Sequence, residues 1–418
     1  TSKITANGGI GNYYRQYSNL PSANYGSGGG GGGRILIETA SAIMTDGTNG
    51  IDIVIELRGG SRHGYGSTYG DVGKGGSLAI RGLNANSGID VYLSPTSALS
   101  DLSALFFEGV KKLTLNPNAV LGRVEGLLDF RSYGSAFETL IMSENSVMKN
   151  YADGIILVKN LQLELHSSST LEGSIVDITA NTFVAPKMIG SMLVVNTDTF
   201  TCSNSIVASD FVNINASTFV CSNSIVASDL VNITVKDARI EKSGTLQSQT
   251  IKIHALDYLE VNGTIDTNGR GHAPGTGPGA GCNGVRPTRG ASGGAHGGKG
   301  GAASGSTTCS IPTDSYGDGV SSIVTMGSGG GKCWDNYDNG YGGGLIHLKS
   351  DYKMVLGPDT VISANGNDAG LQHDSGGSET GGGGAGGGIW LYTNTLIASP
   401  TSKITANGGI GNYYRQYS

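Results

Sequence analysis

The chain has 418 residues, 71 of them glycine, with 37% hydrophobic and 14% charged residues. Glycine is well above its usual ~7% share, yet the apolar content is enough to bury a core, which excludes general disorder. A formal net charge of −6 argues against a nucleic-acid partner, and no apolar run approaches the ~18–20 residues that membrane insertion needs.

The first eighteen residues, TSKITANGGIGNYYRQYS, return unchanged as residues 401–418. That identity makes residue 401 the counterpart of residue 1 in a following copy, so the chain reads as one unit of a tandem array. Residues 401–418 are then the start of the next repeat, and Ile4, Ile404 and Asn407 are expected at the seam. A unit that ends as it began suits open-ended growth, and open-ended growth makes fibres.

Residues 1–90 form a Gly-rich section. GGGRILI at 31–37 and GGSLAI at 75–80 each lead from glycine into a short apolar alternation, and Ile51-Asp-Ile53-Val-Ile55 has the two-residue period of a strand. Residues 91–264 hold only nine glycines and read as compact coils of roughly 19–27 residues. Strands are expected there at Leu113-Thr-Leu115, Leu161-Gln-Leu163-Glu-Leu165 and Ile251-Lys-Ile253. CSNSIVASDFVNI at 202–214 recurs as CSNSIVASDLVNI at 221–233, with Leu230 in the place of Phe211. This offset suits one coil of a β-solenoid and puts Cys202 and Cys221 at the same place in adjacent coils.

Residues 265–400 return to glycine. GGGLIHL at 342–348 and GGGIWLY at 386–392 lead into strands, followed by ISANG at 362–366 and ITANG at 404–408, with a looser IDTNG at 265–269. The last glycines before those two strands stand at 344 and 388, so long coils of about 44 residues are expected, each with a Gly-rich excursion. Excursions that keep register with strands are expected to be ordered and stacked, since flexible linkers need no register. The fold class expected is an all-β, right-handed parallel β-helix, or β-solenoid. Its inward residues are expected to include Ile35, Leu113, Leu115, Leu161, Leu163, Leu165, Ile206, Val207, Ile225, Val226, Ile251, Ile253, Ile346 and Ile389.

The order GGG-x-I-x-L, short strand, I-S/T-A-N-G and Gly/Ser/Tyr loop resembles the Gly-rich tandem repeats of large extracellular β-helix proteins, over residues 265–400 and 1–90. Residues 91–264 resemble only the general parallel β-helix, which polygalacturonases, pectate lyases and phage tailspikes also share. The resemblance implies a right-handed β-helix in a secreted or surface-exposed protein and assigns no catalytic site.

The chemistry-bearing residues form no catalytic signature. Asp90/Asp101, Glu125/Asp129 and Glu164/Glu172 are candidate carboxylate pairs for glycoside hydrolysis, but none stands in the NTD, DD and GHG pattern of polygalacturonases, and no enzyme is expected. The acidic run from Asp335 to Gly340 is a candidate calcium loop. It departs from the EF-hand template, with Tyr337 and Ile346 at ligand positions. No cofactor is expected beyond that candidate loop calcium. His63, His272, His296 and His373 lie in separate loops without zinc spacing and are expected to be solvated. GYGSTYGDVGKGGS lacks the order and following helix of a phosphate loop.

Of five cysteines, Cys282, Cys309 and Cys333 lie in Gly-rich loops, where an oxidising compartment favours one disulfide, expected between Cys282 and Cys309. Asn215, Asn232 and Asn262 head N-glycosylation sequons, at a frequency that a chain rich in Asn, Ser and Thr reaches by accident. Tyr13, Tyr14 and Tyr17, with Trp334, Tyr337 and Tyr341, are candidates for stacking on glycans or on a neighbouring filament. The function expected is a structural unit of an extracellular or cell-surface filament, with itself as partner. A glycan-binding adhesin stalk is the alternative, and a β-helical polysaccharide-degrading enzyme the third.

Overall fold

The computed structural model describes residues 110–122, 139–150, 155–159, 162–284, 290–303, 314–317, 325–332, 340–369 and 381–411, a few single positions aside, and Cys309. Of residues 2–108 and 127–129 it describes the strand backbones alone. Every regular element among them is a β-strand. Pairing is parallel except in two short hairpins, Tyr13–Tyr14 with Tyr25–Gly26 and Gly64–Tyr65 with Thr68–Tyr69. Stacked parallel strands of this kind are the architecture of a β-solenoid. The chain divides into two compact units, Thr1–Ala208 and Ser209–Ser418.

In the first unit three ladders run side by side. Leu113 stands opposite Leu140 and Leu140 opposite Leu163. Leu121, Met148, Leu171 and Met188 form the second column, and Ile156, Val176 and Leu193 the third. Alternation decides which side chains enter: Ile155–Lys159 reads half-buried, buried, half-buried, buried, half-buried. Phe183 lies opposite Phe200, both with no exposed surface and ring centroids 5.7 Å apart. Truncating either to alanine would cost about 3–5 kcal/mol.

In the second unit one ladder carries Val212, Val231, Ile251, Ile346 and Ile389 in a single column. A second carries Ile225, Leu246, Ile265, Ile362 and Ile404. Phe211 lies opposite Leu230 and Ile214 opposite Ile233, so the short sequence repeat is one coil stacked on its copy. The turn between the ladders also repeats. Gly244, Thr360 and Ser402 each donate their N–H to the carbonyl three residues before, as Ala119, Ser146 and Ser169 do in the first unit. The small residue two places before the inward apolar residue closes the turn without filling the core.

Four of the residues expected inward are only half-buried. Leu163 and Leu165 sit on a strand that, among the described residues, pairs on one side, with Thr139–Met142. Val226 lies between buried Ile225 and Ala227, because alternation admits only every second residue. Ile389 belongs to the last coil of the second unit. Leu161 and the side chains of Val207 and Ile35 lie outside the described residues. The long coils also differ from a regular 44-residue period. Ile251 meets Ile346 and Ile265 meets Ile362, so one excursion takes up what the spacing assigned to two coils. The next step, from Ile346 to Ile389, has the expected length, as does the step from Ile35 to Leu78 in the first unit.

Backbone bonding holds the described parts of this excursion in place. The run 381–388 exchanges N–H···O=C bonds with five other segments: Gly384 to Asn367, Ala385 to Ser328, Gly343 to Ala385, Gly294 to Gly383 and Gly409 to Gly384, at 2.8–3.0 Å. A β-strand bonds to two neighbours. Five neighbours require groups that point around the chain axis, as they do in an extended helix of three residues per turn. The chains also approach too closely for side chains. A Cβ on Gly330 would lie 2.0 Å from the Gly382 oxygen, and one on Gly386 2.0 Å from the Ala406 oxygen, so the hydrogen in that direction points at a carbonyl. Gly297 has open space instead. Gly330→Ala is therefore expected to destabilise the second unit by roughly 1–3 kcal/mol or more, as overpacking does, while Gly297→Ala stays within about 0.5 kcal/mol of the parent. Paired urea titrations read the difference.

Candidate functional site

The surface that differs most from the rest of the molecule is the last coil of the second unit, Gly388–Ala398 with Lys403–Thr405. Its residues continue buried columns yet lie open. Met354 and Ile362 have no exposed surface, whereas Leu396, in register with Met354, is 49% exposed and Ile404, in register with Ile362, is 46% exposed. Ile397 is also exposed, and Ile410 beyond them is 72% exposed. Apolar residues left open on one coil in this way make it a candidate interaction surface.

Polar groups on the same coil are equally specific. Asn268, Asn365 and Asn407 each stand three residues after an inward isoleucine. The Asn365 N–H donates to the Asn268 side-chain Oδ1 at 2.6 Å, and the Asn407 N–H to Asn365 Oδ1 at 2.7 Å. In return Gly269 donates to the Asn365 carbonyl and Gly366 to the Asn407 carbonyl, both at 2.8 Å. Gly269 has a positive φ of 57°, which glycine adopts without a Cβ penalty. Each asparagine thus clamps the following coil, and Asn407 is the last of them. The turn bonds step the same way: Thr264 N–H to the Gly244 carbonyl, Val361 to Gly263, Lys403 to Thr360.

Beside this coil lies a groove of about 690 Å³, lined by Gly386–Gly388, Ile389, Ile404, His296, Tyr316 and Thr325 among others. His296 is not solvated as expected but buried. Its Nδ1 faces the Gly386 carbonyl at 3.0 Å and its Nε2 the Thr325 hydroxyl at 2.9 Å. A carbonyl can only accept, so Nδ1 carries the hydrogen and the hydroxyl can donate to Nε2. Tyr316 packs on His296 with ring centroids 5.2 Å apart. Its hydroxyl donates to the Met326 carbonyl and accepts from Ser328, and burial pushes its pKa up. Among glycine segments without side chains, these rings form one wall of the groove.

Cys282 and Cys309 form a disulfide, with Cα atoms 5.4 Å apart. Cys202 and Cys221 are buried thiols that repeat one contact, each Sγ facing the carbonyl of the asparagine two residues on, at 3.2 and 3.1 Å. Cys333 lies outside the described residues. Of the sequon asparagines, Asn215 is half-buried on a strand opposite Thr234. Asn232 Nδ2 donates to Asn213 at 2.9 Å and Asn262 Nδ2 to Glu260 at 3.0 Å, so both acceptor nitrogens are engaged. Tyr341 is half-buried, and its carbonyl accepts from Asn367. Tyr13 and Tyr14 form a two-residue strand, while Tyr17, Trp334 and Tyr337 lie outside the described residues. The structure places an aromatic group that the sequence reading missed: Trp390 stands 5.0 Å from His347 and 6.1 Å from Tyr392 between ring centroids. Alternate positions on strands stacked in register were the available signal.

Of the carboxylate pairs, only Glu164 and Glu172 have described side chains. Glu164 is exposed and Glu172 pairs with Lys149 at 2.5 Å. Among the described residues no three His, Cys, Asp or Glu side chains gather as a metal site. The calcium candidate from Asp335 onward, His63 and His373 lie outside those residues. Comparison with protein-family models, with curated proteins and with solved structures finds no match.

Two outcomes are expected at this surface. Burial, with a smaller contribution from His296, holds the His272 pKa below that of a free imidazole. Protonation is therefore easier in the unfolded chain. The stability His272 contributes is complete above about pH 6.5 and declines as pH falls through that value toward the lowered folded pKa. Asp351, held low by His254 and Lys349, loses its contribution only as pH falls below the free carboxylate value. Thermal midpoints should therefore drop between pH 7 and 5, and His272→Gln should flatten that drop. The disulfide closes a separation of 27 residues, for which the chain-entropy relation gives about 3–4 kcal/mol. Reduction should lower the unfolding midpoint of the second unit, and calorimetry with and without a phosphine reductant measures by how much.

Proposed function

We propose that the chain is the repeating structural unit of an extracellular or cell-surface filament, built from a right-handed β-solenoid whose copies follow one another end to end. The observation that carries this reading is the placement of the duplicated segment. Ser2–Thr5 enters a parallel ladder as a strand paired with the coil that follows it. Lys403–Thr405 enters one as a strand paired with the coil that precedes it. One amino-acid sequence thus supplies the first strand of a ladder and the last strand of another, using opposite edges. Repeats that contact only their neighbours gain stability from each added interface, and exposed strand edges drive that addition unless something blunts them. The Gly-rich excursions in this reading stack beside the solenoid, and the Cys282–Cys309 disulfide suits an oxidising exterior.

Negative-stain imaging of the full chain over a concentration series tests the proposal. Filaments whose fibre diffraction shows an axial spacing near 4.8 Å are the expected result, and compact particles at every concentration would overturn it. A second reading, a glycan-binding stalk, is favoured by the Trp390 group, where a ring stands on an outer strand face beside Lys349, itself 5.8 Å from the Tyr392 ring. Glycan-array binding lost in Trp390→Ala, with filaments retained, would add this role to the first.

A further inference from the structure

Resting on that reading, we infer that the open last coil is the seat of a second copy of this chain, and that Ile404 takes its place opposite Ile55 of that copy. The register follows from the duplicated residues. Lys3, Ile4 and Thr5 stand opposite Val54, Ile55 and Glu56, and Lys403, Ile404 and Thr405 stand opposite Val361, Ile362 and Ser363. The two tripeptides are identical, so either can fill the same position in the ladder. Placing Lys403–Thr405 against the strand Ile51–Leu57 of a second copy continues the column Leu246, Ile265, Ile362 and Ile404 into Ile55.

A second pair of edges agrees. Among the described residues, Gly388–Ala398 pairs on one side, with Leu345–Leu356, and Arg34–Thr39 on one side, with Gly75–Gly82. The alternation Ile389-Trp-Leu391 matches Ile35-Leu-Ile37 when Gly388 stands opposite Arg34. The six glycines of residues 28–33 precede Arg34, as the run 381–388 leads into the strand it feeds. They bring no side chains to the groove of about 690 Å³ beside Gly386–Gly388, which is the room an added glycine segment needs.

The asparagine column supplies a third match. Asn268, Asn365 and Asn407 lie three residues beyond Ile265, Ile362 and Ile404, and the residue three beyond Ile55 is Arg58. Asn407 Oδ1 therefore accepts the backbone N–H of Arg58 from the second copy, as Asn365 Oδ1 accepts that of Asn407.

Between separate molecules the second copy's own Ser2–Thr5 occupies the edge that the incoming Lys403–Thr405 needs. Assembly is then a strand exchange, and one substitution should act oppositely in the two identical segments. Ile404→Asp spoils the incoming strand, whereas Ile4→Asp weakens the strand being displaced. In the full chain, light-scattering assembly rates should fall roughly tenfold or more for the first and rise roughly tenfold for the second, each factor of ten being about 1.4 kcal/mol. Circular dichroism checks that both variants keep the parent's strand content. A mixture of Thr405→Cys chains and Glu56→Cys chains should yield an oxidised dimer with those two cysteines joined, identified by peptide mapping. Thr405→Cys mixed with Val54→Cys should not. Filaments that form with equal rates in both aspartate variants and without the cross-link would overturn this register and leave the filament reading standing. Absence of any association by the parent chain would overturn both.

Discussion

Apart from Ile43–Met44, which pairs with Ile51–Asp52 of the same coil, the described parallel strands bond to the coil before and the coil after. Every N–H and C=O that points along the stack must therefore meet another coil or water. The turns show this dependence most plainly, because Thr264, Val361 and Lys403 each donate to the turn beneath them. Such a ladder has no intrinsic last member. Whatever forms an outermost coil leaves a row of N–H and C=O groups and an apolar face, and Leu396 and Ile404 are open in that way.

Two kinds of packing meet that demand in different ways. Apolar columns such as Val212 to Ile346 depend on side chains that exclude water from between the ladders, so they tolerate modest changes of shape. The glycine segments do the reverse. With no side chains, their stability comes from backbone bonds and from close approach, and a single added methyl meets a carbonyl oxygen. The disulfide and the ring pair of His296 and Tyr316 are side-chain ties in that region, which explains why His296 is buried where a solvated histidine was expected. The composition anticipated glycine's abundance but not that any one run would bond to five others.

Strand character, the stacking of the short repeat and the inward residues at Leu113, Leu115, Ile251 and Ile253 were legible, because a two-residue alternation follows directly from strand geometry. Val226 was misread because Ile-Val-Ala offers three apolar residues, of which alternation buries the first and third. The small residues at Ala119, Ser146, Ser169 and Ser402 repeat as faithfully as the isoleucines. They carry no hydrophobic signal and were overlooked. The ANG motif was seen as a partner to the glycine runs, but its meaning is geometric: an asparagine whose side chain receives the next backbone N–H cannot be inferred until the coils are in register. The long excursion was undercounted because backbone-only packing imposes no residue period.

The open coil also bears on how such a molecule avoids disorderly growth. Solenoid ends in general are blunted by charged residues, short strands or a covering segment. In the proposed assembly the segment that covers the edge of Ile51–Leu57, Ser2–Thr5, is a copy of residues 402–405. A cap identical to the strand it resembles binds its edge no more strongly, residue for residue, than the strand of a neighbour does. What favours the chain's own copy is tethering within one chain, which raises its effective concentration. Intermolecular exchange then becomes competitive only where neighbours are crowded or joined in one polypeptide. In the proposed array, Ser2–Thr5 would act as a cap in isolation and Lys403–Thr405 as a splice, with one register serving both.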